Sequence, residues 1–146
     1  MINNKIIVRP IENEQEMQKM LYVRWLVLRK PLGKEKGSEE DKYENDAFQV
    51  IAINNNNIVG CARLRKMSSI LGSIAYVAVL PEFQNQGIGS KIINKLIEKA
   101  KNESLEEVKL RARFNSANFY KKLGFIECGE IFDFLGIPHV PMILKL

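Results

Sequence analysis

Apolar and polar positions change period several times along the chain, and each change marks an element. Lys5 to Arg9 alternates and predicts an opening strand that Pro10 ends. Met17, Met20, Leu21, Arg24, Trp25 and Leu28 then recur at helical spacing. Asn13 stands at the capping position, with Glu16 three residues on as its reciprocal partner, and Pro31 and Gly33 stop the helix. Gly33 to Asp46, GKEKGSEEDKYEND, has no clear period; it is either a solvated loop or a loop with a short helix near a binding site. Phe48 to Ile53 and Ile58 to Leu64 are β-rich runs, and Asn54 to Asn57 between them tolerates left-handed backbone, so the pair reads as a hairpin.

Ser73 to Leu80 is continuously apolar, which predicts a strand buried on both faces and closed by Pro81. Ile88, Ile92, Ile93, Leu96, Ile97 and Ala100 mark an amphipathic helix to about Glu103. Val108 to Ala112 is the next strand, and Ser116 to Leu123 is a short helix ended by Gly124. Phe125 to Ile131 and His139 to Lys145 are closing strands. This order predicts one α/β domain over 1–146, a mixed sheet flanked by helices. Its core is expected to hold Trp25, Ile51, Val59, Val77, Val79, Ile92, Leu96, Leu110, Phe119 and Phe125.

Composition then narrows the classes. A chain of 146 residues with 46% hydrophobic and 27% charged positions fits an ordinary globular protein. Its net charge of +5 suits an anionic ligand or nucleic acid. The basic residues are scattered, however, with no run of Lys and Arg and no interleaved aromatics, so nucleic acid is not the expected partner. Cys61 and Cys128 each lie in an apolar stretch and read as two buried thiols without a disulfide framework. His139 is the only histidine, which argues against a metal centre. Met1 to Pro10 carries Asn3, Asn4 and Lys5 and lacks an apolar signal core, and no run is long enough to cross a bilayer; the expectation is a cytoplasmic protein away from the membrane.

The most informative segment is YVAVLPEFQNQGIGSKIINKLIEKA, Tyr76 to Ala100. A buried strand runs through Gln84, Asn85, Gln86, Gly87, Ile88, Gly89 and Ser90 directly into a helix. The glycines let backbone N–H groups approach a ligand, and the helix start adds unpaired donors and a positive dipole end, a fit for pyrophosphate. An unliganded Gly-rich turn would look alike. A P-loop needs Gly-Lys-Ser/Thr, but Ser90 follows Gly89; a dinucleotide fingerprint needs a third glycine, where Ile92 stands.

From Val79-Leu80-Pro81 to Gly89 the pattern V-x-P-x-x-Q-x-x-G-x-G resembles the signature of the GNAT superfamily of N-acetyltransferases. LRARFNSANFYKKLGF, Leu110 to Phe125, resembles the later family segment carrying F-Y-x-x-L-G-F. The tail GEIFDFLGIPHVPMILKL and the early VRWLVLRKPLG are similar to the ElaA-like branch. The resemblance implies a mostly antiparallel sheet splayed at the cofactor site. It also implies acetyl-CoA as cosubstrate, held through the Gln84 to Ser90 turn, the backbones of Val77 and Val79, and Asn115 and Phe119 after the next strand. Asn115 alternatively caps the short helix.

Acyl transfer to an amine needs a neutral nucleophile, an oxyanion site and a proton for the departing thiolate. The resemblance puts Tyr120 near the sulfur as proton donor; the alternative is a core aromatic beside Phe119 and Phe125. Many family members carry a Glu on the central strand, where this chain has Ser73 and Ala75. His139, an imidazole that the resembling branch retains, is the candidate base, with a structural histidine beside Pro138 as the other reading. Arg24 and Arg29 either clamp an acidic group of the substrate or pair with Glu39, Glu40 or Asp41. The expected activity is acetyl transfer to a small-molecule or peptide amine, with a non-catalytic acyl-CoA sensor as the rival; a homodimer stays open.

Overall fold

The computed structural model describes residues 5–146, so the expectation for Met1 to Asn4 lies outside the described residues. In chain order the elements are β1 (Ile6–Pro10), α1 (Glu14–Leu28), β2 (Phe48–Asn54), β3 (Asn57–Lys66), β4 (Leu71–Val79), α2 (Ile88–Asn102), β5 (Glu107–Arg113), α3 (Ala117–Lys122), β6 (Ile126–Glu127), β7 (Phe132–Phe134) and β8 (Ile137–Lys145). They form one sheet in the order β1-β2-β3-β4-β5-β8-β6, with β7 paired to β8. Every pairing is antiparallel except that of β4 with β5.

Pleating sends alternate residues to opposite faces, and each face is covered by a helix. Val50, Ala52, Ala62, Leu64 and Leu110 pack with Ile88, Ile92, Ile93 and Leu96 of α2. Their neighbours Ile51, Cys61 and Ala78 pack with Met17, Met20 and Leu21 of α1. Each fully buried Ile or Leu contributes about 1.5–3 kcal/mol, so the stripe along α2 is what docks that helix.

Local chemistry sets the boundaries. The Asn13 side chain accepts from Glu16 N at 2.8 Å, as the cap requires. The reciprocal bond differs from expectation: Glu16 Oε1 accepts from Glu12 N, and its carboxylate pairs with Arg9. Asn55 and Asn56, at φ 49° and 66°, make the β2–β3 hairpin turn. The segment after Gly33 is a loop with one 3-10 turn, Glu44–Asp46.

Three expectations are corrected. Trp25, Val77, Val79 and Phe119 are half-buried rather than core. Trp25 lies under the charged loop, donating to Lys34 O, while Val77 and Val79 border the cleft described below. Cys128 is exposed, because the short β6 lies at the sheet edge beyond β8. Finally, the strand from Phe125 to Ile131 is broken. At Gly129 the chain passes so close to β8 that a Cβ would stand 2.6 Å from Pro141 Cγ, and pairing resumes only at Phe132. The chain then reverses through Leu135 and Gly136, both at positive φ, into β8.

Candidate active site

A bulge in β4 creates the site. Cys61 of β3 faces Ala78 and Arg63 faces Ala75, so Ala62 alone opposes both Tyr76 and Val77. Tyr76 takes φ 57°, a left-handed conformation that costs an aromatic residue about 1–2 kcal/mol. Its surroundings hold it there. The ring lies 4.1 Å from the Arg24 guanidinium and 4.7 Å from that of Arg63, and the hydroxyl donates to Asp41 Oδ2 at 3.4 Å.

The sheet divides just before the bulge and stays divided through it. β4 and β5 pair only over Leu71 to Ser73 with Glu107 to Lys109. From Ile74 to Val79 the β5-facing edge of β4 is open, while β5 continues its pairing with β8 to Arg113. Leu80 N donates to Val59 O on the β3 side, so by alternation the backbone of Val79, and of Val77 before it, faces the split. Gln84 Nε2 donates to Val79 O at 2.9 Å and ties the strand end to the following turn.

That turn bends through Asn85 (φ 61°) and Gly87 (φ 81°). Gly87 is the N-cap of α2 and no side chain caps the helix, so its first amides are left for a ligand. The Ile88 side chain is core, Ser90 is half-buried, and Gln86 Nε2 is spent on Glu82 O.

A cleft of about 660 Å³ follows the split. Of the residues singled out from sequence, Arg29, Val77, Val79, Gln84, Tyr120 and His139 line it together. Asn85 to Ser90, Asn115, Phe119 and Arg24 do not. Asn115 is exposed and does not cap α3, whose N-cap is Ser116 with no side-chain cap bond. Phe119 packs on Gly89 and, edge-on, on Tyr120.

Arg24 is fully buried, and it is built into the frame of the site. It donates to Glu39 O, to Glu44 Oε2 at 2.7 Å and to Gln49 Oε1, so its partner carboxylate is Glu44 rather than Glu39, Glu40 or Asp41. Arg63 completes this network with two bonds to Asp41 and an ion pair to Glu44. Arg63 holds the Asp41 carboxyl down to about 2, with further help from the Tyr43 N–H and Tyr76 hydroxyl. Burial alone would raise Glu44, but the Arg24 hydrogen bond and charge outweigh it and leave the carboxyl lowered. The charged loop is thus fastened over the α1 face of the sheet.

Tyr120 is clasped edge-on between Phe119 and Phe125, at 4.9 and 5.8 Å. Burial pushes its phenol upward, so it stays protonated, and its hydroxyl makes no hydrogen bond among the described residues. His139 lies between Phe132 and Phe134. Its Nδ1 is 2.8 Å from Ile137 O. A carbonyl only accepts, so Nδ1 carries the proton and Nε2 is the basic nitrogen. Arg63, Tyr76 and Arg113 were not singled out from sequence, and Asp41 was named there only among the carboxylates that Arg24 or Arg29 could pair with. Arg63 and Tyr76 lie inside strand patterns, Arg113 one residue past one, and Asp41 inside the charged segment; periodicity reports which face a residue takes, not what it meets there.

Residues 29–146 match the family model described as an acetyltransferase (GNAT) domain. A Bacillus subtilis protein named as an acetyltransferase is 29% identical over 138 residues, 92% of this chain and 93% of its own. Among solved structures, Escherichia coli ElaA superposes with a TM-score of 0.80 at 20% identity, covering 96% of this chain and 99% of that one. A GNAT family acetyltransferase from Elizabethkingia anophelis, solved with acetyl-CoA bound, gives 0.72 at 23% identity over 97% and 98%. These superpositions show a shared fold. The chain belongs to the GNAT acetyltransferase family, and it is an acetyltransferase.

Proposed function

We propose that the chain moves the acetyl group of acetyl-CoA to a primary amine by direct attack on the thioester. The observation that carries this reading is the open edge of β4 followed, through a 3-10 turn at Pro81–Phe83, by the uncapped start of α2. The pyrophosphate binds the amides of the turn from Gln84 through Asn85, Gln86, Gly87, Ile88 and Gly89 to Ser90, where donors and dipole both favour negative charge. The pantetheine arm takes the place of the missing strand beside Val77 and Val79, with Asn115 and Phe119 at its flank. A free strand amide at Val79 suits the oxyanion of the attacked carbonyl.

In the reaction the amine nitrogen bonds to the carbonyl carbon and the C–S bond breaks. One proton leaves the nitrogen and one reaches the thiolate. Tyr120 donates to sulfur, from a position fixed by its two aromatic neighbours. His139 Nε2 accepts the amine proton, directly or through water, because β4 offers only Ser73 and Ala75 where a carboxylate would serve. Asp41 is a poor base at neutral pH, being held ionised by Arg63. Thiol release against an amine panel, beside calorimetric titration with CoA, tests the reading. The expectation is one CoA per chain and thiol release that requires an amine; a folded protein that does not bind CoA contradicts it.

A further inference from the structure

Six Lys and Arg side chains line the cleft; three of them meet a carboxylate or an aromatic ring, and Lys109 is exposed to solvent. Arg63 pairs with Asp41 and Glu44, the Arg65 guanidinium lies 3.8 Å from the Tyr43 ring, and that of Arg111 lies 5.1 Å from Phe134. Arg113 is different. It is the last residue of β5, half-buried, and no oxygen among the described residues accepts from its guanidinium. Arg29, at the end of α1, is only 8% exposed. Its Nε and Nη1 donate to Ser38 O and Leu28 O, and Nη2 has no acceptor among the described residues.

Both arginines line the same cleft, and the one carboxylate lining it among the described residues, Asp41, is held by Arg63. Burial first, and then the charge of Arg29, lower the pKa of Arg113. Two desolvated like charges disfavour the empty site, and an anion between them removes that penalty. Their position identifies which anion. Val108, Leu110 and Ala112 of β5 face α2, so Arg113, like its β8 partner His139, is on the opposite face. Arg29 comes from α1, which covers that same face, and lies 5.8 Å from the Tyr76 ring at the bulge. The phosphate turn opens α2 on the other side of the sheet. The pair therefore belongs to the acceptor half of the cleft.

We propose that Arg29 and Arg113 receive the carboxylate of the acceptor, which is a small amine of the amino acid type. This rests on the transferase reading above. Planar guanidinium groups suit a carboxylate because both of its oxygens are bonded at once. The ligand closes the gap between α1 and β5, leaving its amine near the bulge where His139 and Tyr120 work.

The test offers amino acids with the amine at successive distances from the carboxyl, each beside its carboxamide, to the full chain with acetyl-CoA. Thiol release gives kcat/KM, and calorimetry measures the N-acetyl form of each acid and amide binding to the CoA complex. At least one acid should exceed its amide tenfold or more in both measurements. Arg113→Gln should bring the ratio near one, Arg113→Lys should restore part of it, and Arg29→Gln should act like Arg113→Gln. Equal handling of acids and amides, no binding or turnover of either, or a preference that survives Arg113→Gln overturns the proposal. So does Arg113→Gln losing affinity for CoA itself, which would assign the arginine to the cofactor. Wild-type CoA titration is read separately: CoA binding with turnover of uncharged amines keeps the transferase reading while the carboxylate proposal fails.

Discussion

Gly89 and Phe119 close the seam between α2 and α3 so tightly that a Cβ at Gly89 would stand 3.2 Å from Phe119 Cζ. The glycine is kept for space, since its φ is not positive. Gly89→Ala gains up to about 1 kcal/mol of helix propensity and loses part of it to that contact, so the melting temperature should move little. Gly89→Asp adds similar bulk plus a negative charge in the first turn. That charge favours the helix but opposes phosphate. Affinity for CoA should therefore fall more than tenfold in Gly89→Asp and far less in Gly89→Ala, by calorimetry. Equal losses would mean sterics alone; unchanged affinity in a folded Gly89→Asp would remove the phosphate from this turn.

Asp41 and Arg63 make stability depend on acid pH. The Asp41 carboxyl is depressed to about 2 in the fold, chiefly by the Arg63 hydrogen bonds, against an unfolded value near 4. A depressed carboxyl stabilises fully above its unfolded pKa, and the contribution is lost as pH falls through the folded one. The window is thus about pH 4 down to pH 2, and the amount is on the order of 1–2 kcal/mol. Asp41→Asn should destabilise by about 1–3 kcal/mol at pH 7, less than the loss of a sole buried partner because Arg63 keeps Glu44. Thermal melts of both proteins should converge as pH drops below 4. Parallel profiles would show that Asp41 is not what the acid transition reads.

The elements were legible where one local cause decides them. Asn55 and Asn56 adopt the left-handed turn that their side chains tolerate, and Ile88 to Ala100 is a helix whose apolar stripe meets one sheet face. The turn into α2 was legible because glycine and a helix start stand together in sequence. The bulge was not, since Tyr76 is a residue that local preference keeps out of positive φ. It is held there by Arg24, Arg63 and Asp41, which are distant in sequence. The same holds for the split of β4 from β5, which turned an apparent double-sided core strand into a cleft wall. Arg113 fell just past the predicted end of its strand, and its meaning depends on Arg29 arriving from another element.

Tyr120 tests the chemistry most directly. Its ring is fixed edge-on by Phe119 and Phe125, the residue lines the cleft, and its hydroxyl has no hydrogen-bond partner among the described residues. Burial raises the phenol above its ordinary value, so it is protonated across the working range and can donate without first being charged. A weaker acid would seem a poorer donor to a thiolate whose conjugate acid lies near 8.5 in water. The departing sulfur would share the same apolar wall, however, and desolvation raises its proton affinity too. Transfer concerted with C–S cleavage is therefore expected, rather than release of a free thiolate. Tyr120→Phe keeps both ring contacts and removes one O–H, so stability and CoA affinity should hardly change. If the proton comes from this hydroxyl, kcat should fall about 10²–10⁴-fold in steady-state thiol release. The loss should persist over pH 6–9, because no ionisation of Tyr120 falls in that interval. A Phe variant with wild-type kcat would reduce the residue to packing. A variant whose deficit vanishes at low pH would assign the proton to solvent.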